Sequence, residues 1–324
     1  MNIALRSALS GLLSVSFICA ESIFAQSYPV KPIRIIVPYA PGGSTDVVFR
    51  ILAPRLSELL GQTVIVENRP GGSSTIGLDA TAKSAPDGYT LGTPNLTFGA
   101  NPSLIKKMPF DTEKDLLPVS LVTIVTLVLT VHPSVPARTV KELIALARSK
   151  PGSLNYGSAG NASANHLATE RFNFMTGTKM VHIPFKGGGP AVISIVSGET
   201  AILMATIPSS IQHFETGRLR PLGVTSLQRN AALSNIPTIN EAGVPGYEAI
   251  EWNGVVVPAG TPPAIISRLH QAFAKALSIP DVKERIVGLG ADPVGSSPEE
   301  FAAFIKKEIA TWSKVIKEVG ITVE

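Results

Sequence analysis

Ile33-Arg34-Ile35-Ile36-Val37-Pro38-Tyr39-Ala40-Pro41-Gly42-Gly43-Ser44-Thr45-Asp46 decides how the chain is read. A β-branched run stops at Pro38 and a glycine- and hydroxyl-rich loop follows. From Asp46 to Leu60 the apolar residues Val47, Ile51, Leu52, Leu56 and Leu59 recur at helical spacing until Gly61. The order strand, loop, helix repeats at once in Thr63–Val66, Asn68–Ser74 and Thr75–Lys83. Such alternation predicts an α/β fold with parallel strands.

Further along, a strand at Tyr89–Thr93 is followed by a polar loop, and Val119–Val131 is an unusually long apolar β-rich stretch that suits a strand passing between two lobes. Alternation resumes with a helix from Val140, a strand at Leu154–Tyr156, a helix over Ala164–Phe174, a strand at Met180–Ile183 and a helix over Pro190–Val196. Strands at Ala201–Met204 and Leu219–Thr225 complete the second unit, and Ile250–Val257 reads as the return passage. Pro263–Leu277, Val282–Leu289 and Pro298–Val319 carry apolar helical stripes that would cover the first sheet. The domain expectation is therefore lobe 1 from residues 26–125 and 251–324, and lobe 2 from residues 126–250. A cleft between two such lobes is a usual place for a small ligand.

Composition narrows the class. Of 324 residues, 44% are hydrophobic and 16% charged, which excludes a disordered chain. The 28 Gly and 26 Pro follow no collagen period and exclude a coiled coil. Net charge is +4, with 28 Lys+Arg scattered against 24 Asp+Glu. The longest basic clusters are the pairs Lys106-Lys107 and Lys306-Lys307, so nucleic acid is not an expected partner. Arg6 followed by the apolar stretch Ala8–Ala20, too short for a stable membrane anchor, reads as a signal peptide over residues 1–25. Cleavage after Ala25 would remove the single cysteine, Cys19, leaving no disulfide. Lipidation at Cys19 competes with that reading but is opposed by the bulky Ile18 before it.

Four loops carry the functional signal: Tyr39–Asp46, Pro70–Ser74, Gly157–Ser163 and Lys186–Gly189. Each follows a strand and opens a helix, which in a parallel α/β lobe places it at the ligand-binding end of the sheet. Glycine permits close backbone approach, and the first helical turn offers N–H groups without internal partners plus a partial positive charge. Anions are the matching ligands. A hydrogen bond to a charged group contributes about 1.5–3 kcal/mol and micromolar affinity needs about 8 kcal/mol, so roughly four to six donors suffice. Arg69 beside the second loop could join them or serve the surface.

Enzyme signatures are missing from the sequence. It has no G-x-S-x-G elbow and no HExxH, and its histidines, 132, 166, 182, 213 and 270, lack metal-ligand spacing. Gly72–Gly77 imitates half of a P-loop, but Leu78 and Asp79 stand where Lys and Ser/Thr belong. Ser163 and His166 share a helix face and leave an exported hydrolase with a non-standard Ser/His site as the alternative.

With these motifs the chain resembles the Bug-type receptors of tripartite tricarboxylate transporters. The likeness runs from Pro38–Asp46 through Glu67–Gly72, Pro86–Leu91 and Asn155–Gly160 to His182–Pro190, Gly243–Glu248 and Pro258–Pro263. The resemblance implies a type II periplasmic binding protein with two α/β lobes, not an enzyme, without cofactor or metal. It implies a monomer that captures a small organic carboxylate and hands it to membrane permease subunits; a ligand sensor for a signalling system is a further alternative. Members commonly carry a small residue and Gly where this chain has Ser73-Ser74, and Gly where it has Asn161. They often carry aspartates where it has Ala201 and Ala205. The ligand-binding expectation is Tyr39, Gly42, Gly43, Ser44, Thr45, Ser73, Ser74, Ser158, Asn161, Ser163, His166, Gly188 and Ala205. Because Ala205 brings no carboxylate to the cleft, an acid without a free ammonium group is expected.

Overall fold

A computed structural model describes residues 28–320; the signal-peptide expectation for residues 1–25 falls outside them. One half of the fold contains β1 (Ile33–Val37), α1 (Ser44–Leu60), β2 (Val64–Asn68), α2 (Thr75–Ala82), β3 (Thr90–Gly92) and α3 (Leu96–Leu104). β4 (Leu116–Val131) then leads to α4 (Val140–Ser149), β5 (Asn155–Ser158), α5 (Ala164–Thr176), β6 (Val181–Pro184), α6 (Gly188–Val196), β7 (Ile202–Thr206), α7 (Ile207–Glu215) and β8 (Arg220–Val224). β9 (Ile250–Pro258) returns, followed by α8 (Pro263–Ser278), α9 (Pro280–Gly288), β10 (Ala291–Pro293) and α10 (Pro298–Val319).

The strand order is β2-β1-β3-β9-β4-β7-β5-β6, with β8 and β10 also on β4. β1 is parallel to β2 and β3, and β5 is parallel to β6 and β7, as the strand-helix alternation requires. β4 joins the halves. From Leu116 to Thr126 it runs antiparallel to β9, and from Leu127 to Val131 antiparallel to β7, so it changes partner between Thr126 and Leu127. This is the two-lobed α/β architecture.

Each lobe has its own packing. Ile33, Ile35 and Val37 of β1 bury one face against Val48, Phe49, Leu52 and Leu56 of α1, while Val128, Leu203 and Ala205 pack with Ala191, Val192 and Ile195 of α6. α10 is fixed onto β9 by the fully buried Trp252, whose indole N–H donates to Glu308 at 2.9 Å while its ring meets Phe301 edge-on. The pairing needs a bare backbone next door: a Cβ on Gly254 would lie 2.0 Å from the Phe301 ring.

Three elements differ from the sequence reading. The stretch expected as a polar loop after β3 contains α3, disguised by Gly99 and Pro102 but opened by Asn95, whose side chain accepts from the Thr97 N–H. α7 begins straight from β7 with Pro208 in its first turn, and the three-residue β10 is too short to have a period.

Candidate functional site

The loops converge. Two adjoining cavities lie between the lobes and share Tyr39, Ala159 and Ser163. The inner chamber is the smaller of the two, about 20 Å³. Gly43, Ser44, Thr45, Ser163, Gly188 and Ala205 line it, joined by Asn95, Asn165, Thr206 and Glu251. The outer chamber, about 580 Å³, is walled by Gly71–Ser74, Thr97, Asn161, Phe185 and Lys186.

Helix starts dominate the inner wall. α1, α6 and α7 open at Gly43, Gly187 and Thr206 without a side-chain cap, so the first-turn N–H groups that remain beside Pro190 of α6 and Pro208 of α7 have no side-chain acceptor. α2 opens on the outer chamber at Ser74, likewise uncapped. α5 also starts here, but Ser163 caps it by accepting from the His166 N–H. Ser44 Oγ is buried and has no partner. Thr45 Oγ1 donates to Asn253 Oδ1 at 2.7 Å, tying the start of α1 to β9. The Tyr39 hydroxyl donates to Asn95 Oδ1, and Asn95 Nδ2 donates to Glu251 Oε1 at 3.0 Å. Among the inner lining residues only Tyr39 and Glu251 ionise, so an anion here would be held by neutral dipoles rather than by Lys or Arg.

The loops also meet each other across the cleft. A Cβ on Gly188 would lie 3.3 Å from Gly43 Cα, and one on Gly189 would lie 2.5 Å from the Pro41 carbonyl oxygen. Ser73 Oγ donates to the Asn161 carbonyl at 2.9 Å, bridging the outer chamber. The described form is thus closed over the cleft.

Gly42, Ser158 and His166 stand behind the lining rather than in it. The Gly42 N–H is already donated to Asp46 Oδ2, a carboxylate that also accepts from Arg50 and Asn68. Asp46 therefore shapes the loop and does not face a ligand. Ser158 is fully buried, with Oγ 2.6 Å from His182 Nε2. His166 stacks on His182 at 4.0 Å, and its Nδ1 accepts from the Ala162 N–H. Burial drives both rings down, to about 3 for His166 and about 4 for His182, so they are neutral supports for the Gly157–Ser163 loop. The contact between Ser163 and His166 runs through the backbone N–H, not the ring, which leaves Ser163 without a base from that histidine. Arg69 is paired with Glu67.

Glu251 corrects one expectation. Ala205 does line the inner chamber, yet the chamber is not free of carboxylate, because β9 supplies one. The argument against a ligand ammonium therefore fails at its premise. Nothing in the local sequence around Ile250–Glu251–Trp252 marks this residue; only its alternation with the buried Trp252 could place it on the opposite face of β9.

The family model described as tripartite tricarboxylate transporter family receptor matches residues 48–321. The chain belongs to that family. BugT of Bordetella pertussis is 38% identical over 322 residues, 99% of each chain. Among solved structures, Rpa4515 of R. palustris with adipate superposes with a TM-score of 0.89 at 37% identity, covering 91% of this chain and 99% of that one. MatC from Rhodopseudomonas palustris with bound malate has a TM-score of 0.85 at 30% identity, covering 89% and 100%. Receptors of this family are periplasmic solute-binding proteins with two α/β lobes. Among the described residues no helix is long and apolar enough to cross a membrane, and no cluster of acidic, His or Cys side chains could hold a metal ion.

Proposed function

We propose that this protein is an exported receptor that captures a small organic carboxylate between its lobes and delivers it to the permease subunits of a tripartite tricarboxylate-type transporter. It acts as a monomer, without cofactor and without catalysis. The supporting observation is the convergence of three uncapped helix starts on an inner chamber whose lining carries no basic side chain. Adipate and malate in the two similar structures point to the same ligand class. In this reading Gly43, Ser44, Thr45, Ser163, Gly188 and Ala205 receive the carboxylate end. Tyr39, Ser73, Ser74 and Asn161 contact the remainder, and Gly42, Ser158 and His166 hold the loops that do so. Lobe 1, residues 26–125 and 251–324, and lobe 2, residues 126–250, close by rotation about β4 and β9.

Native mass spectrometry of the periplasmic protein as purified tests the assignment. A single small carboxylic acid released on denaturation is the expected result; a molecule without a carboxylate bound at full occupancy would refute it. Placement of the site is tested by Gly43→Val. A Cβ at Gly43 reaches only ordinary contact, 3.6 Å, with the Gly188 backbone N, but the valine methyls fill the space between the loops. The variant should keep its circular dichroism spectrum and lose binding at least a hundredfold by calorimetry, whereas unchanged affinity would move the site elsewhere.

A further inference from the structure

Glu251 is a carboxylate built into an anion site. It is 6% exposed, and its Oε1 accepts from Asn95 Nδ2. Among the described residues no Lys, Arg or His pairs with it. The surroundings offer no charge either. Of the elements packed on β9, β3, β4 and α3 carry no ionisable side chain. Asp79 of α2 holds Lys83, and Glu308 of α10 lies beyond Trp252. His166, Glu170 and Arg171 of α5 do not line the chamber, and Asp46 of α1 is occupied by Arg50. That leaves the Tyr39 hydroxyl, which is bound to Asn95.

A ligand carboxylate drawn to the starts of α1, α6 and α7 arrives in the same chamber of about 20 Å³, next to Glu251 and the unpartnered Ser44 hydroxyl. The lining of the chamber contains no Lys, Arg or His that could stand between the two carboxylates and neutralise them. Carboxylates sharing such a site do not both stay ionised. Resting on the receptor reading above, the geometry points to Glu251 as a proton-carrying member of the site: it meets the ligand as a neutral carboxyl whose O–H donates to a carboxylate oxygen, and capture takes up one proton from solvent. Burial already pushes this carboxyl up to about 7 in the empty protein, so the proton is at hand near neutrality and scarce above it.

Calorimetry decides this, with adipate, malate and the other two- to eight-carbon mono- and dicarboxylates titrated in HEPES and in Tris, buffers of different ionisation enthalpy. At pH 8 the wild type should take up close to one proton per ligand, and its affinity should fall about tenfold per pH unit above the Glu251 pKa. Glu251→Gln, whose amide donates to the same oxygen, should bind with no proton uptake and a flat profile from pH 7 to 9. Wild-type binding without proton uptake would overturn the proposal and mean that Glu251 accepts from a donor on the ligand. Uptake that persists in Glu251→Gln would overturn it too. If the variant fails to fold, the wild-type buffer comparison alone decides. Failure of every acid to bind would instead overturn the carboxylate-receptor reading beneath it.

Discussion

Glu251 and the stacked histidines tilt the stability of the empty protein in opposite directions. Burial raises Glu251 to about 7, so the native state holds a proton that the unfolded chain releases from about pH 4.5 upward. Stability should fall between those values as pH rises and level off above, by a total on the order of 3 kcal/mol. His166 and His182 titrate near 3 and 4 in the fold, so the unfolded chain binds more protons below 6.5 and stability is lost as pH drops from there. Urea midpoints from pH 4 to 9 should therefore peak within this range, Glu251→Gln should flatten the alkaline fall, and a variant with the wild-type profile would contradict the assignment. The lining loops were legible because glycine, serine and strand-to-helix position coincide in short stretches. Glu251 was not, since its role depends on Asn95, a partner 156 residues away in the chain.

Elements were legible wherever a hydrophobic period was long enough to count. α1 and α10 have 17 and 22 residues, and both were expected nearly as observed. α3 was hidden by its own Gly and Pro, and its true signal was the capping asparagine at its start. Packing of α10 on β9 gives a prediction at this scale. Gly254→Ala would force a Cβ into the Phe301 ring at 2.0 Å, overpacking a core that also holds Trp252 and Phe304. A loss of about 1–3 kcal/mol in urea unfolding is expected. Pairing it with Phe301→Leu should give less than the sum of the two single effects. Strict additivity would show that the contact is not what limits the site.

At the scale of the whole molecule, the two-lobed architecture followed from strand-helix alternation and the long apolar stretch that became β4. What the sequence could not show is that the lobes also approach through bare backbone, Gly188 against Gly43 and Gly189 against Pro41. Gly189→Ala should hinder closure, because its Cβ would lie 2.5 Å from the Pro41 carbonyl oxygen, while Gly288→Ala, with open space around it, serves as control. Small-angle scattering with saturating ligand should show compaction in the wild type and in the control but not in Gly189→Ala, and equal compaction in all three would count against the contact as the latch. The central claim is that uncapped helix starts at Gly43, Gly187 and Thr206 hold a carboxylate. Calorimetric titration of two- to eight-carbon acids, each against its amide, measures that most directly: the account predicts at least one acid binding a hundredfold or more tighter than its amide, and amides that match their acids, or no acid bound at all, would contradict it.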